Sequence, residues 1–321
     1  MSAHVEEARI ARLRRIFTQG DAQGIEVDVG DDAAVLAPSL GREVLSVDAH
    51  VEHVHFRRAW LSSRELGARA AMAALSDLAA MGAEPRVVLL SLALSDDVTD
   101  EELEALALGV RDACDETGAR VVGGNLARAS EISIHTTVIG RMTEAPLRRD
   151  GAKVGDGVYV TGTLGAAALG LAALEAGRSD TLLAPFVARW RRPRARVSEG
   201  RRLIDLASAA IDVSDGLALD LSRLAEASGV GIDLDAKDLP LEPDHAACAA
   251  LLSRDPITLA LIGGEDYELA FTAPLSRALA GLATRIGSVV ARPGVVATDA
   301  SGRPLEVAGF DHFARRATSA G

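Results

Sequence analysis

Aspartate residues recur beside glycine and serine, at the predicted ends of strands and helices, in this 321-residue chain. They lie in the stretches 29–36 (VGDDAAVL), 46–48 (SVD), 76–78 (SDL) and 212–216 (DVSDG). Carboxylate oxygens are ligands that Mg²⁺ prefers, usually together with substrate phosphates. Glycine lets backbone N–H groups approach those phosphates. The pattern therefore predicts that the aspartates converge on a cluster of Mg²⁺ ions holding a nucleoside triphosphate.

Asp31 and Asp32 are adjacent in a stretch, 27–36, that the residue pattern predicts to be extended. Side chains alternate between the two faces of a strand, so the two carboxylates are expected to point in opposite directions. One of them can then enter a shared site, while the other caps a turn or meets solvent. The residues alone leave open which carboxylate does which.

Asp77 is predicted to lie near the end of an alanine-rich helix, 59–81, on the same face as Ala70 and Ala73. A carboxylate on such a small, apolar stripe needs a partner. A metal ion is one candidate, and a local hydrogen bond at the end of the helix is the alternative. Gly82 is expected to follow the helix as its C-terminal cap.

The stretch 212–216 is the most informative single motif. Asp212 and Ser214 are predicted to share one face of a strand, and Asp215 is predicted to cap the helix that begins at Gly216. No P-loop, dinucleotide-binding glycine motif, protein-kinase motif or hydrolase nucleophile motif is present in the sequence. Metal-assisted phosphoryl chemistry is what the remaining motifs favour.

Two further clusters favour structural interpretations. His50, His53 and His55 could suggest a metal site, but no cysteine or second histidine cluster completes a zinc set. We therefore expect an extended segment whose imidazoles are solvated or face substrate. The arginine-rich run 189–196 is interpreted as a solvated linker in preference to a functional basic patch.

Helical and extended patterns alternate along the chain, as is typical of an α/β fold. Helices are predicted at 6–19, 59–81, 99–118, 163–176, 201–209 and 217–228, and strands at 43–47, 87–94, 120–122, 132–140, 158–161, 210–213, 232–234 and 270–272. The helix from Thr99 is opened by a capping box with Glu102. We predict an N-terminal domain over 1–141, a linker over 142–156 and a C-terminal domain over 157–321.

Composition limits the classes of partner. Hydrophobic residues make up 48% of the chain and the net charge is −12, which argues against a nucleic-acid or anionic-membrane partner. No signal peptide is visible and no apolar run reaches the length of a membrane span. Cys114 and Cys248 stand alone, and we expect buried free thiols in a reducing cytoplasm.

The order of these motifs resembles the thiamine-monophosphate kinase family, within the aminoimidazole-ribonucleotide synthetase (PurM-like) superfamily. The matching stretches are 29–34, 51–56, 75–83, 122–125, 149–156, 212–217, 263–269 and 309–313. They run from near one end of the chain to the other. The resemblance implies a two-domain α/β, PurM-like fold, in which strands of the N-terminal domain build a homodimer interface.

The resemblance also implies an activity and a site. The family transfers the γ-phosphoryl group of ATP, its co-substrate, to thiamine monophosphate with the help of several Mg²⁺ ions. The implied metal ligands are Asp32, Ser46, Val47, Asp48, Asp77, Asn125, Asp212 and Asp215. The implied ATP-phosphate contacts are Gly124, Asn125, Arg149 and Ser214, and the implied thiamine-phosphate contacts are His55, Glu265 and Phe310. Of the adjacent acidic pair, the resemblance favours Asp32 as the ligand and leaves Asp31 a structural role.

Two positions depart from the family pattern. Asn125 stands where the family often has aspartate, so its amide oxygen can coordinate but brings no charge. Val47 stands where the family often has threonine, so only its backbone carbonyl could act as a ligand. The acceptor is already a phosphate, so in-line transfer needs no general base. The alternatives are another ATP-using synthetase of the superfamily and a noncatalytic nucleotide- or metal-binding regulator.

Overall fold

A computed structural model describes residues 3–18, 24–30, 32–275 and 279–305, and it divides the chain into two units. Unit 1 comprises Met1–Arg148 and Arg191–Asp212, and unit 2 comprises Arg149–Trp190 and Val213–Gly321. The boundary between Arg148 and Arg149 falls inside the predicted linker. The predicted domains differ from these units in the segment Arg191–Asp212, which is part of unit 1.

Helices and strands alternate along most of the described chain. The helices are α1 (Ala3–Phe17), α2 (Ser63–Ala80), α3 (Asp100–Thr117), α4 (Ala166–Glu175), α5 (Ala184–Arg191), α6 (Val197–Leu203), α7 (Leu217–Ser228), α8 (His245–Leu251) and α9 (Pro256–Ile262). The strands are β1 (Ile25–Val27), β2 (Val35–Leu36), β3 (Arg42–Val51), β4 (Glu84–Leu94), β5 (Arg120–Arg128), β6 (Ser133–Met142), β7 (Gly157–Val160), β8 (Ala209–Asp212), β9 (Gly231–Asp235), β10 (Leu269–Ala273), β11 (Thr284–Val290), β12 (Gly294–Thr298) and β13 (Pro304–Leu305).

Unit 1 is built on a four-stranded sheet with the order β3-β6-β4-β5. β4 and β5 run parallel, with α3 between them in sequence, and the other neighbours are antiparallel. One row across the sheet aligns Asp48 with Thr136, Thr136 with Leu90, and Leu90 with Gly124. Because paired residues point to the same face, this row fixes which side chains can meet across the sheet.

Helix α2 packs against one face of this sheet and against α3. It begins with a capping box between Ser62 and Glu65 and is buried along most of its length. The two helices approach closely enough to require glycine: a Cβ on Gly67 would lie 2.0 Å from the carbonyl oxygen of Leu106. This close packing holds α2, whose C-terminal end carries Ser76 and Asp77, against α3.

Unit 2 contains six strands in the order β13-β12-β9-β11-β7-β10. β9 and β12 are parallel, while the other described neighbours are antiparallel. A buried apolar cluster, which includes Leu169, Phe186 and Cys248, packs α4, α5 and α8 together. Both units therefore combine helices with sheets, and the α/β prediction is confirmed.

Local structure departs from the sequence predictions in two places. Residues 27–36 are not one extended stretch, because β1 and β2 form a short antiparallel pair with Asp32 in a bend between them. The predicted helix 201–209 is instead α6, which ends at Leu203, and Asp205 then takes a left-handed backbone conformation with φ 64°. That conformation breaks a helix, so the chain reaches β8 through a turn.

The two cysteines are as predicted: both are buried free thiols. Burial raises the pKa of Cys114 to about 12, which keeps the thiol protonated and unreactive near neutral pH. Among the described residues, no helix is both long enough and apolar enough to cross a membrane.

Candidate functional site

The last turn of α2 holds the first cluster of predicted site residues. The hydroxyl of Ser46, on β3, donates to Asp77 Oδ2 at 2.5 Å. Asp77 is half-buried and its side-chain bond spans 31 residues of sequence. Of the two interpretations of Asp77, the local hydrogen bond at the helix end is therefore not the one the structure adopts.

Ser76 joins a second predicted ligand to the same turn. Its hydroxyl donates to Asp212 Oδ2 at 2.8 Å, in a contact that is fully buried. Asp212 ends β8, and only 4% of its surface is exposed. Ser76 and Asp77 are consecutive residues of α2, and they bind Asp212 and Ser46, respectively. These two contacts bring oxygen atoms from β8 and β3 to the end of one helix. We call Ser46, Ser76, Asp77 and Asp212 the α2-end cluster.

The chemistry of the α2-end cluster fits Mg²⁺. Its carboxylate and hydroxyl groups are hard oxygen donors of the kind that Mg²⁺ prefers. The C-terminal end of a helix also carries partial negative charge, which opposes a carboxylate there and attracts a cation. In the described part of the chain, no three His, Cys, Asp or Glu side chains are already gathered as a metal-binding group.

Three further predicted residues lie on β3 or just after it. Asp48 is half-exposed, with Oδ2 3.8 Å from His50 Nδ1, and Val47 points to the opposite face, 64% exposed. His55 is half-buried, and its Nδ1 accepts from the backbone N–H of Val51 at 3.0 Å. His50 is only 3% exposed, so the expectation that it is solvated or faces substrate is wrong.

The structure does not bring Asn125 to Asp48 within one chain. Gly124 and Asn125 lie on β5, at the opposite edge of the sheet from β3. Three interstrand steps of about 4.8 Å separate the two edges, or roughly 14 Å. Asn125 is exposed. It pairs with Ser91, which follows Leu90 on β4. Because Leu90 lies in the same row as Asp48, Ser91 and Asn125 lie on the opposite face of the sheet. One metal ion cannot contact both residues of the same chain.

Two other predicted site residues, Asp32 and Arg149, are exposed. Asp32 is exposed in its bend. Arg149 is exposed, and its backbone carbonyl accepts from the Ser228 hydroxyl at 2.7 Å. Asp31 and Phe310 lie outside the described residues, so their predicted roles remain predictions.

In unit 2, the loop that holds Ser214 and Asp215 is organised by a residue that sequence reasoning missed. Asp220 Oδ2 accepts the backbone N–H of Ser214 at 3.1 Å and that of Asp215 at 3.0 Å. Arg223 Nη1 donates to Asp215 at 2.6 Å and to Asp220 at 2.7 Å. Burial raises the pKa of Asp220 to about 6.

The predicted helix cap at Asp215 is wrong. The N-cap of α7 is Gly216, at φ 115°, without a side-chain cap, because the Asp215 carboxylate turns to Arg223 instead. The only sequence signal for this arrangement is an aspartate in the first turn of α7 with an arginine three residues later.

The segment 263–268 is bonded to the same loop. The backbone N–H of Glu265 donates to the carbonyl of Ser214 at 2.8 Å, and that of Tyr267 donates to the carbonyl of Val213 at 2.9 Å. Gly264 permits this approach, since a Cβ there would lie 2.4 Å from the Ser214 carbonyl oxygen. Glu265 and Tyr267 both adopt positive φ, at 70° and 51°. Strained backbone of this kind clusters at functional sites.

The beginning of the arginine-rich run holds the carboxylates of this segment. Trp190 Nε1 donates to Glu265 Oε2 at 2.7 Å, and Arg189 donates to the fully buried Glu268 at 2.6 Å. In unit 1, Arg191 Nε donates to the carbonyl of Trp60 at 2.6 Å. The interpretation of the run as a solvated linker is therefore wrong for Arg189 and Arg191. Their partners are distant in sequence, and no local pattern indicated them.

Known families and proteins match nearly the whole chain. The family described as AIR synthase related protein, N-terminal domain, matches residues 30–142, and the corresponding C-terminal domain family matches residues 153–300. Thiamine-monophosphate kinase of Aquifex aeolicus (strain VF5) is 35% identical over 288 residues, covering 89% of this chain and 92% of that protein. The enzyme of the same name from Bacillus subtilis (strain 168) is 34% identical, covering 90% of this chain and 94% of that protein.

Solved structures show the same similarity. The structure of AaThiL complexed with AMPPCP and TMP has a TM-score of 0.80 and 35% identity, covering 84% of this chain and 87% of that chain. Thiamine-monophosphate kinase from Stenotrophomonas maltophilia K279a has a TM-score of 0.81 and 34% identity, covering 93% of this chain and 97% of that chain.

Proposed function

The chain belongs to the thiamine-monophosphate kinase family, and from this we infer that it transfers the γ-phosphoryl group of ATP to thiamine monophosphate. The resemblance drawn from the motifs is confirmed by this membership. A relative of known structure is complexed with AMPPCP, an ATP analogue, and with TMP, which supports both substrates. The observation that carries the proposal in this chain is the α2-end cluster.

We propose that the α2-end cluster holds Mg²⁺ and that the other predicted ligands hold further Mg²⁺ ions. The proposed ligands are Asp32, Ser46, the carbonyl of Val47, Asp48, Asp77, Asn125, Asp212 and Asp215. Bound Mg²⁺ offsets the repulsion between donor and acceptor phosphates. Ser46 and Ser76 orient the carboxylates of Asp77 and Asp212 before any ion arrives, which reduces the reorganisation needed on binding.

The remaining residues are proposed to bind and align the two substrates. Gly124, Asn125, Arg149 and Ser214 contact the phosphates of ATP, and His55, Glu265 and Phe310 contact thiamine monophosphate. The acceptor oxygen belongs to a phosphate and is already anionic, so no side chain has to remove a proton from it. Alignment and charge neutralisation carry the rate of an in-line transfer.

We further propose that the protein acts as a homodimer. On the sheet face away from α2, Leu45 is 62% exposed, Val47 64% and Leu89 37%. Val47 and Leu89 both pair with Thr137, so the two apolar side chains lie in one row on the same face, on either side of that threonine. Such a patch marks an interaction surface. Asn125 lies on this face, so a second copy seated there can carry it toward residues that its own chain does not reach.

The dimer proposal is tested by sedimentation velocity. The wild type should sediment as a dimer, and L45E/L89E should shift it to a monomer. Leu40 is 87% exposed and lies outside the strands, so L40E is the matched control and should leave the dimer intact. A wild type that sediments as a monomer at micromolar concentration would contradict the proposal.

ATP as a co-substrate also supports a cytoplasmic location.

Acceptor-dependent turnover of radiolabelled ATP tests the catalytic proposal. Formation of ADP and labelled thiamine diphosphate only when thiamine monophosphate is added supports the kinase. Nucleotide binding without turnover would support a regulator, and ATP consumption without this acceptor would support another synthetase of the superfamily. A selenide-using synthetase is expected to have a reactive N-terminal cysteine, whereas the first cysteine here, Cys114, is buried in α3.

A further inference from the structure

Trp190 is a buried residue to which the proposed function gives no role. None of its surface is exposed, and its indole Nε1–H donates to Glu265 Oε2 at 2.7 Å. The indole N–H is the only polar group of a tryptophan side chain and is a donor only. A buried hydrogen bond from this donor to a carboxylate is charge-assisted and short, and it restricts the orientation of Glu265.

The neighbouring contacts hold the same short segment from several sides. Glu268 accepts from Arg189 at 2.6 Å and from the hydroxyl of Thr161 at 2.7 Å, and none of Glu268 is exposed. The backbone of Glu265 is held by Ser214 in a left-handed conformation that a non-glycine residue adopts only when its surroundings impose it. This combination of strain and anchoring points to a functional role for the segment.

We propose that Trp190 is a positioning residue that orients the Glu265 carboxylate toward the positively charged thiazolium ring of the acceptor. This inference rests on the proposed function, which supplies thiamine monophosphate as the substrate. Glu265 is half-buried, where the attraction between opposite charges is stronger than in bulk water. The pair therefore selects for the cationic ring, while the phosphates are bound elsewhere.

The variant W190F tests this role because phenylalanine keeps an aromatic ring and removes the N–H. We expect the KM for thiamine monophosphate to rise by about tenfold or more, the scale of a lost hydrogen bond to a charged group. The kcat and the KM for ATP should stay unchanged. Inhibition by a neutral thiazole phosphate, which lacks the ring charge, should also stay unchanged. W60F, at the other tryptophan of the chain, is the matched control and should leave all four values as they are.

Dependence on Glu265 is tested by a double-mutant cycle. E265Q keeps an acceptor for the indole N–H but removes the negative charge, so it should raise the same KM. W190F added to E265Q should then raise it little further, because the two residues act as one unit. In W60F protein, the indole N–H resonance of Trp190 should shift when thiamine monophosphate is added, and E265Q should abolish that shift.

The outcomes separate this inference from the proposed function. If wild-type protein forms ADP with thiamine monophosphate but W190F keeps the wild-type KM for it, the role of Trp190 is refuted and the function stands. If W190F weakens both substrates and the neutral inhibitor together, Trp190 has only a structural role, and the inference is refuted. Acceptor-dependent turnover that is absent in the wild type would instead refute the proposed function.

Discussion

Two carboxylates of the α2-end cluster in unit 1 and three carboxylates of unit 2 have different kinds of partner. In unit 1, the carboxylates of Asp77 and Asp212 accept from serine hydroxyls. In unit 2, the carboxylates of Asp215 and Asp220 accept from Arg223, and Glu268 accepts from Arg189. A hydroxyl orients a carboxylate without neutralising it, whereas an arginine does both.

This difference suggests a division of labour. A carboxylate such as Asp77, at the C-terminal end of a helix, opposes the helix dipole and gains by binding a cation. The acidic residues of unit 2 already hold loops and helix ends in place, and Asp266 is a further case, accepting the N–H groups of Gly165 and Ala167. Neutralising Asp77 should therefore reduce turnover, whereas neutralising Asp220 or Asp266 should reduce stability.

The largest effect is expected for D77N. Removal of this charge should lower kcat on the order of 10³-fold, because Asp77 is a proposed ligand of the Mg²⁺ that would stabilise the transition state. The free energy of unfolding should stay the same or rise slightly, since an unfavourable charge leaves the end of α2. Steady-state kinetics at saturating Mg²⁺ and urea denaturation measure the two quantities. D115N, at a side chain that is 71% exposed, is the control and should keep the wild-type kcat. Near-normal turnover of D77N would refute the proposed metal cluster.

The opposite pattern is expected for D220A. The change leaves two backbone N–H groups without their acceptor and removes one of the two carboxylates that Arg223 contacts, which should lower the free energy of unfolding by roughly 3 kcal/mol. Urea denaturation measures this loss. D238N, at an exposed carboxylate of unit 2, should lie close to the wild type. A D220A protein as stable as the wild type would contradict the structural role given to Asp220 in unit 2.

The sequence predicted the features that depend on nearby residues. Helix α7 was predicted with both of its ends, and the capping box at Thr99 is confirmed, because apolar periodicity and capping act within a few residues. The partners of Arg189 and Trp190 were not predictable, since they lie 79 and 75 residues away. Asp215 is a different case, because its competing partner, Arg223, is only eight residues away and takes the carboxylate from the expected local cap.

Site residues follow the same rule. The motifs predicted Asp77 and Asp212 as metal ligands, which stays a prediction, but only the packing of α2 shows that Ser46 and Ser76 orient their carboxylates. The strand order, which no periodicity reveals, separates Asn125 from Asp48. Long-range pairing is decided by tertiary structure, so sequence patterns give the chemistry of a site better than its geometry.

The units should also differ in how pH affects them. In unit 1, burial, together with the nearby Arg69 and His55, holds the pKa of His50 well below its ordinary value. Below about pH 6.5, His50 is protonated in the unfolded chain but stays neutral in the folded state. The free energy of unfolding therefore falls as pH falls, by up to about 1.4 kcal/mol per pH unit. H50Q should flatten this dependence between pH 5 and pH 7 in urea denaturation. H53Q, at an exposed imidazole, should retain the wild-type slope.

Asp266 should give the opposite dependence in unit 2. Burial, opposed by its two backbone N–H donors, raises the pKa of Asp266 to about 7. The folded state therefore keeps a proton that the unfolded chain releases near pH 4, so this residue makes stability fall as pH rises from about 4 to about 7. D266N cannot titrate, and its unfolding free energy should lack that fall even though its absolute value is lower. D238N, at an exposed carboxylate of the same unit, is the control and should follow the wild type. Equal slopes for D266N and the wild type would show that the folded protein does not retain this proton, and would contradict the expected pH difference between the units.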